Sequence, residues 1–338
     1  MEEKPTGTAR WVSLIEKMKL IKNPSIALWD QVASIADNAT FFHTSTWAKI
    51  ILDTFPQFQI ATRGVELDDG EIVVLPMVAT VERNKVFMWL ESMYLGGYGG
   101  LISTRTLRAD EVKSVLKLMI SSRKAHIHLI GNPLFEYELP RSYKQLDLFT
   151  HILDLGGFDE VFQRFSSDRR RNIRKAKELN LQFYVADIED QFETYFKIYE
   201  DTLNRWGEKT LVSYPYSLFE AIYRYKSDSV KLWLAKVDDR IVSGKIIFYH
   251  RKFAYYWHGS TLEEYLNLYP DPFLMSEIIR DACQRGYKGI DFGPSGGLKG
   301  VETYKEKFGA RKVSFHSYEW DDNAVYHIYR GILRFLRK

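Results

Sequence analysis

The chain has 338 residues, long for one hydrophobic core and comfortable for two domains. Its 45% hydrophobic, 15% aromatic and 27% charged content suits two filled cores under a soluble surface. Lysine and arginine exceed aspartate and glutamate by only 47 − 44 = 3, which excludes the broad basic field of a nucleic-acid binder and leaves polyanion contact to a local patch. The single cysteine, Cys283, excludes an internal disulfide and a cysteine zinc site. Its helical apolar neighbours Ile278, Ile279 and Ala282 mark it as a core residue rather than a nucleophile. No apolar run approaches the ~18 residues of a membrane span. The opening MEEKPTGTAR carries no signal-peptide core, so the expected location is cytoplasmic.

Residues 1–22 read as a loose start and a short amphipathic segment, followed by a helix over 25–36. In FFHTSTWAKIILDTF, one of Thr44, Ser45 or Thr46 can cap a helix carrying Trp47, Ile50, Ile51 and Phe55. The period then changes to two. Strands over 58–65 and 71–81 around Asp68-Asp69-Gly70 predict a hairpin, with a third strand over 85–90. A glycine-rich stretch, a helix over 109–121 and a strand over 126–130 complete this half, and 140–149 reads as a link.

The order then recurs. Helices are predicted over 159–165 and 169–179, a strand over 181–186, and helices over 192–206 and 216–225. A second hairpin pairs 231–237 with 240–249 around Asp238-Asp239, and a third strand, 253–258, ends at Gly259. A helix over 273–285, a strand over 289–292 and a last strand over 313–320 precede a basic amphipathic tail, 325–338. Both halves share one plan: helix, hairpin with an Asp-Asp turn, third strand, glycine, helix, short strand. That predicts an internal duplication of one α/β unit, with domains at 1–150 and 151–338.

Three constellations can carry chemistry. The stretch DFGPSGGLKGVETYKEKFG (Asp291 to Gly309) is a strand, a glycine loop and a helix holding Lys305 and Lys307. It reads either as an ordinary connection or as an anion site, since free N–H groups and the helix dipole favour a bound anion there. The run from Asp168 to Lys177 has Phe165, Ile173 and Ala176 on one side and Arg170, Arg171, Arg174 and Lys177 on the other, either a solvated face or a phosphate contact. Tyr255-Tyr256-Trp257-His258-Gly259 ends a strand at a glycine, where a ligand can approach the backbone. The eight histidines show no metal-ligand spacing, so no metal is expected. No Walker A motif or strand-linked GxGxxG occurs.

These segments resemble the FemAB-like peptidoglycan-bridge aminoacyltransferases, a branch of the GNAT acyltransferases built from two GNAT-like domains. SSDRRRNIRKAKELNLQFYV (Ser166 to Val185), the hairpin LWLAKVDDRIVSGKIIFY with Trp257-His258-Gly259-Ser260, and GVETYKEKFGA (Gly300 to Ala310) carry the resemblance, with FFHTSTWAK in the first half. It implies a mixed α/β fold of two tandem GNAT-like domains with the acyl-transfer cleft in the second. It also implies transfer of an acyl or aminoacyl group to an amine of a sugar, peptide or cell-envelope precursor. Acyl-CoA or aminoacyl-tRNA would be co-substrate, with no metal and no tightly bound cofactor. Two departures stand out. No arginine occurs at about Tyr214-Pro215, where the cell-wall enzymes bind phosphate, and the segment 190–228 is too short for the family's long helical arm.

By the same resemblance, Lys305 contacts the donor or the developing oxyanion and Lys49 an acceptor phosphate. Asp291, at a strand end beside the loop, is a candidate base for the attacking amine and equally a candidate turn cap. Trp257, His258, Gly293, Ser295, Gly296 and Tyr304 are expected to line the donor and substrate site, with Arg170 and Arg174 toward phosphates. The contrasting expectation is a non-catalytic module of this fold that binds RNA or an anionic membrane surface, with the arginine run and the basic tail as its features. Its basic tail would lie on an anionic membrane surface. DNA is not an expected partner.

Overall fold

The computed structural model describes residues 15–81, 88–95, 97–120, 125–134, 144–209 and 212–321. The chain divides into two compact units, Met1–Leu148 with Phe315–Lys338, and Phe149–Ser314. In the first, β1 (Lys19–Ile21), β3 (Arg63–Glu66) and β4 (Ile72–Leu75) form one antiparallel sheet in the order β1-β3-β4. A second sheet orders β2 (Phe58–Ile60), β5 (Val78–Val81), β6 (Met88–Ser92), β7 (Ala125–Ile130) and the far end of β14 (Arg311–Asp321). Its helices among the described residues include α1 (Ile26–Ile35), α2 (Ser45–Thr54) and α3 (Ala109–Ile120). Val112, Val115, Leu116 and Met119 of α3 pack on Val65, Val73, Leu75 and Leu90. Thr44 caps α2, accepting the Trp47 N–H at 3.4 Å.

The second unit is built on one sheet in the order β8-β13-β12-β11-β10-β9. Its strands are β8 (Lys144–Asp154, from Phe149 on), β9 (Gln182–Val185), β10 (Val230–Val237), β11 (Arg240–His250), β12 (Phe253–Thr261) and β13 (Gly289–Asp291). All neighbours are antiparallel except β12 and β13. Helices are α4 (Phe158–Arg164), α5 (Ser167–Glu178), α6 (Glu189–Trp206), α7 (Tyr216–Arg224), α8 (Pro270–Gln284) and α9 (Lys299–Glu306). The core sets Leu274, Met275, Ile278 and Ile279 of α8 against Trp233, Ile247 and Ala254, with Phe292 and Phe308 behind. Burial also pushes the Cys283 thiol up, as suits a packing residue.

Four differences from the sequence reading have physical causes. The first hairpin is not one ladder: Arg63–Glu66 pairs with Ile72–Leu75, whereas Phe58–Ile60 pairs with Val78–Thr80 in the other sheet. Pro76, which has no N–H, falls at the break, where the Met77 N–H donates to the Thr62 hydroxyl at 3.2 Å. The stretch read as a link is largely β8, whose apolar Ile152 and Leu153 face Asp291 and Ile290 in the β13 ladder. Strand β12 runs past Gly259 to Thr261. The segment Phe315–Asp321, expected in the second domain, falls with the first unit, because Ser317–Asp321 pairs with Ile130–His126. The basic tail lies outside the described residues.

Candidate functional site

Strands β12 and β13 run parallel through three register pairs, Phe253 with Gly289, Ala254 with Ile290 and Tyr255 with Asp291, and then separate. Strand β12 continues along β11 to Thr261, so from Tyr256 on it has, among the described residues, a strand partner on one side only. The pairing also carries a bulge. Ile246 faces His258 and Ile247 faces Tyr256, which leaves Trp257 as the extra residue and sharpens the bend. Strand β13 stops at Asp291, and the chain turns away through Gly293, Gly296 and Gly297, all in the left-handed region (φ 71°, 57° and 77°).

Two buried charged residues fix that turn. Asp291 accepts the Gly293 N–H at 2.8 Å and the Thr150 hydroxyl at 2.5 Å through the same oxygen, so it does cap the turn. Lys305, 2% exposed on α9, reaches back across the loop. Its ammonium donates to the Gly293 carbonyl at 2.6 Å, the Pro294 carbonyl at 3.1 Å and the Ser295 hydroxyl at 3.0 Å. Three donors thus meet three neutral acceptors. Burial pulls Lys305 down to about 8, a shift that Asp291 and then Glu302 partly oppose. His151, next to Thr150, is fully buried and its ring makes no hydrogen bond. Burial, and then the Lys305 charge, keep it neutral.

A second buried lysine, Lys245 on β11, is 0% exposed and carries a different set of partners. It forms an ion pair with Asp271 in the first turn of α8 and donates to the Tyr256 phenol oxygen at 3.2 Å. Burial opposes the Lys245 charge, but Asp271 outweighs it and the pKa is raised. Burial likewise opposes ionisation of Asp271, and the Lys245 ammonium holds its carboxyl below the usual range. Tyr304, whose buried hydroxyl makes no well-directed hydrogen bond, faces the same cluster. Burial, and then the Asp271 charge, push its phenol well up. Arg169 closes the group, its guanidinium 4.8 Å from the Tyr304 ring centre and 4.6 Å from that of Phe308.

His258 sits among aromatic rings. Its Nδ1 is 2.6 Å from the Tyr195 hydroxyl, and the rings of Tyr199, Phe219 and Trp257 lie within 4.5, 5.5 and 5.6 Å of its own. Burial, and then the Lys245 charge, lower it to about 3, so it is neutral at physiological pH.

The second unit therefore brings Lys305, Asp291, Gly293 and Ser295 into one contact group, with Trp257 and His258 on the bulged strand and Tyr304 against the Lys245 cluster. Gly296 lies in the loop itself. The arginine run disperses. Arg170 folds back onto the Gln163 and Phe165 carbonyls at 2.7 and 2.5 Å and so terminates α4. Lys177 pairs with Glu277 at 3.0 Å, and Arg171 and Arg174 stay exposed. Lys49 lies half-buried on α2 of the first unit.

Four residues escape the sequence reading: Thr150, Arg169, Lys245 and Asp271. Two left signals. Arg169 falls four residues after Phe165 and four before Ile173, which puts it on the buried side of α5. Lys245 is a charge inside the apolar run of a central strand, between Val242 and Ile246. Asp271, between two prolines, reads as turn chemistry, and Thr150 carries no signal.

Residues 163–306 match the acetyltransferase (GNAT) domain family. No curated protein matches the chain at a significant level. Among solved structures, the chain superposes on FemX with a TM-score of 0.70 at 13% identity, over 93% of this chain and 99% of that one. The C-terminal domain of a putative lysylphosphatidylglycerol synthetase from Agrobacterium fabrum gives 0.54 at 11% identity, covering 88% and 93%. A tandem GNAT protein from the clavulanic acid biosynthesis pathway gives 0.51 at 8% identity, covering 90% and 99%. The chain has the FemAB-like, two-domain GNAT fold, and its second unit carries a GNAT-type acyltransferase domain. Among the described residues no helix is long and apolar enough to cross a membrane, and no cluster of potential metal ligands occurs.

Proposed function

We propose that the second unit transfers an acyl or aminoacyl group to an amine at the point where β12 and β13 part. The observation that carries this reading is the parting itself, which falls inside the segment matching the GNAT domain. Past Tyr255 one side of β12 has no strand partner among the described residues, and that side can receive an extended donor as a missing strand would. The loop across the gap is held by Lys305, and in this reading its buried charge favours the negative charge that develops on the attacked carbonyl. Asp291 is the proton acceptor for the attacking amine in this reading, acting from the strand end it also caps. Trp257 and His258 line the bulged side of the gap, and Tyr304 its α9 side.

The donor is acyl-CoA or an aminoacyl-tRNA, and the acceptor an amine on a sugar, peptide or cell-envelope precursor. Of the proteins that share this fold, one is described with reference to AcCoA, which supports the first of these donors. Lys49, Arg170 and Arg174 are the proposed phosphate contacts, and of these Arg174 stands exposed. No metal and no tightly bound cofactor enters the reaction. The cytoplasm, where both donors occur, is the proposed location.

Two assays decide it. Melting with acetyl-CoA present is expected to rise by a few degrees, as ligand linkage requires. Where the donor is instead alanyl-tRNA, radiolabelled alanine moves to a small amine. No shift with the first and no transfer from the second would remove the reading.

A further inference from the structure

The far edge of the second unit's sheet lacks the features that keep edge strands apart. Strand β9 pairs with β10 on one side, and among the described residues no strand lies on the other. Its residues Gln182, Phe183, Tyr184 and Val185 include no charge and no proline, and the last three favour strand pairing. Phe183 and Val185, 42% and 36% exposed, stand on one face of the sheet. The Phe183 ring is stacked on Trp233 at 6.1 Å and set edge-on to Phe273 at 5.9 Å, so it is held in place with an open outer side.

The outward backbone groups on this edge are few and defined. Ala186 donates its N–H to the Leu232 carbonyl at 2.8 Å, next along the ladder with β10. By the alternation of an antiparallel ladder, Tyr184 and Gln182 then also point toward β10, whereas Phe183 and Val185 turn their N–H and C=O groups outward. The next outward amides are already used. The Leu181 N–H goes to the Ala176 carbonyl at 3.4 Å, and the Asp187 N–H to the Gln191 side-chain oxygen at 2.9 Å. A strand complementary to this edge is therefore a second β9. Laid antiparallel with Phe183 opposite Val185 and Tyr184 opposite Tyr184, the two strands satisfy every outward group of these residues in four hydrogen bonds. A register shifted by two residues would call on the Leu181 or the Asp187 N–H instead.

We propose that two copies of this chain join their sheets through β9, about a two-fold axis at Tyr184. Each Phe183 covers Val185 of the other copy, an aromatic and β-branched pair made twice, and the two Tyr184 side chains meet on the opposite face. Charge agrees with this register. Asp187, exposed and two residues beyond Val185, comes opposite Leu181 of the second copy. There Lys177, half exposed, lines an open cavity of about 470 Å³ together with Leu181, Phe183 and Phe273. The pairing closes on itself and so makes a dimer rather than a filament. With so short a strand the interface is small, and a dissociation constant in the micromolar range is expected.

Sedimentation and cross-linking of the full chain test this. Wild type is expected to pass from the mass of one chain to that of two between about 1 and 200 µM. Phe183→Lys should raise the dissociation constant about tenfold or more, through two lost apolar pairs and two added edge charges. Leu266→Lys, at an exposed site elsewhere, should leave it unchanged. Cysteines read the register. In a Cys283→Ser background, Tyr184→Cys is expected to form an intermolecular disulfide on mild oxidation, because the opposed residues of a non-hydrogen-bonded pair lie about 4.5 Å apart. Val185→Cys, whose counterpart is Phe183, should cross-link at least about tenfold more slowly. Should Phe183→Lys not fold, Val185→Lys carries the same comparison. The mass of one chain at every concentration would overturn the proposal, and slow amide exchange at Phe183 and Val185 in that monomer would assign the edge to another segment of the same chain. A dimer left intact by the lysine variant, or equal cross-linking by the two cysteines, would overturn it as well.

Discussion

Lys305 and Lys245 are both buried in the second unit, with 2% and 0% of their surface exposed, but they are solvated in different ways. Lys305 meets two carbonyls and a hydroxyl and is lowered to about 8, whereas Lys245 meets a carboxylate and a phenol and is raised. Burial alone does not decide the charge state of a lysine; the charge on its acceptors does. One lysine is thus left able to exchange its proton near neutral pH beside the glycine loop. The other is locked as a permanent cation that directs a neighbouring phenol.

Removing a partner separates the two most sharply at Asp271. Asp271→Ala leaves the Lys245 ammonium buried without its counter-charge, and urea unfolding is expected to show a loss of about 3 kcal/mol. The double variant with Lys245→Met should recover much of it. A single-variant loss below about 1 kcal/mol would mean that water reaches the pair and that the lysines do not differ as described.

Lys305→Met comes next, costing about 1–3 kcal/mol for the loop acceptors it leaves unpaired. Its pH dependence has a definite sign. Between about 8 and the ordinary 10.5, Lys305 is deprotonated when folded and protonated when unfolded. The unfolded state therefore binds more protons, and the lysine's burial cost is relieved as pH rises through that window. Wild-type stability relative to Lys305→Met should climb from pH 8 to 10.5, and a falling or flat difference would contradict the lowered pKa.

Gly259→Ala is smaller, on the order of 1 kcal/mol in stability, since the obstructing atom is the far end of the Tyr256 side chain. Arg174→Gln should change stability by less than about 0.5 kcal/mol, because its side chain is exposed.

The same contrast explains what could be read from the residues. The strand–glycine–helix order around Lys305 is local, and so are the hairpin turn at Asp238-Asp239 and the helical spacing of Trp47, Ile50 and Ile51, and each proved legible. Pairings made across long stretches were not. Lys245 meets Asp271 across the bend after β12, and Asp291 meets Thr150 from a strand far earlier in the chain. A hairpin broken by Pro76 still alternates like a continuous one, because the period of two survives a change of sheet. The arginine run showed two sides, but Arg169 was not set on the apolar one, although it shares the side of Phe165 and Ile173.

The most direct measurement is the single-turnover rate of transfer to an amine by folded Lys305→Met, from whichever of acetyl-CoA and alanyl-tRNA the wild type accepts. A fall of about 100-fold or more is predicted, the scale of losing an oxyanion-stabilising group. A rate within twofold of wild type would show that acyl transfer does not take place at the Lys305 loop.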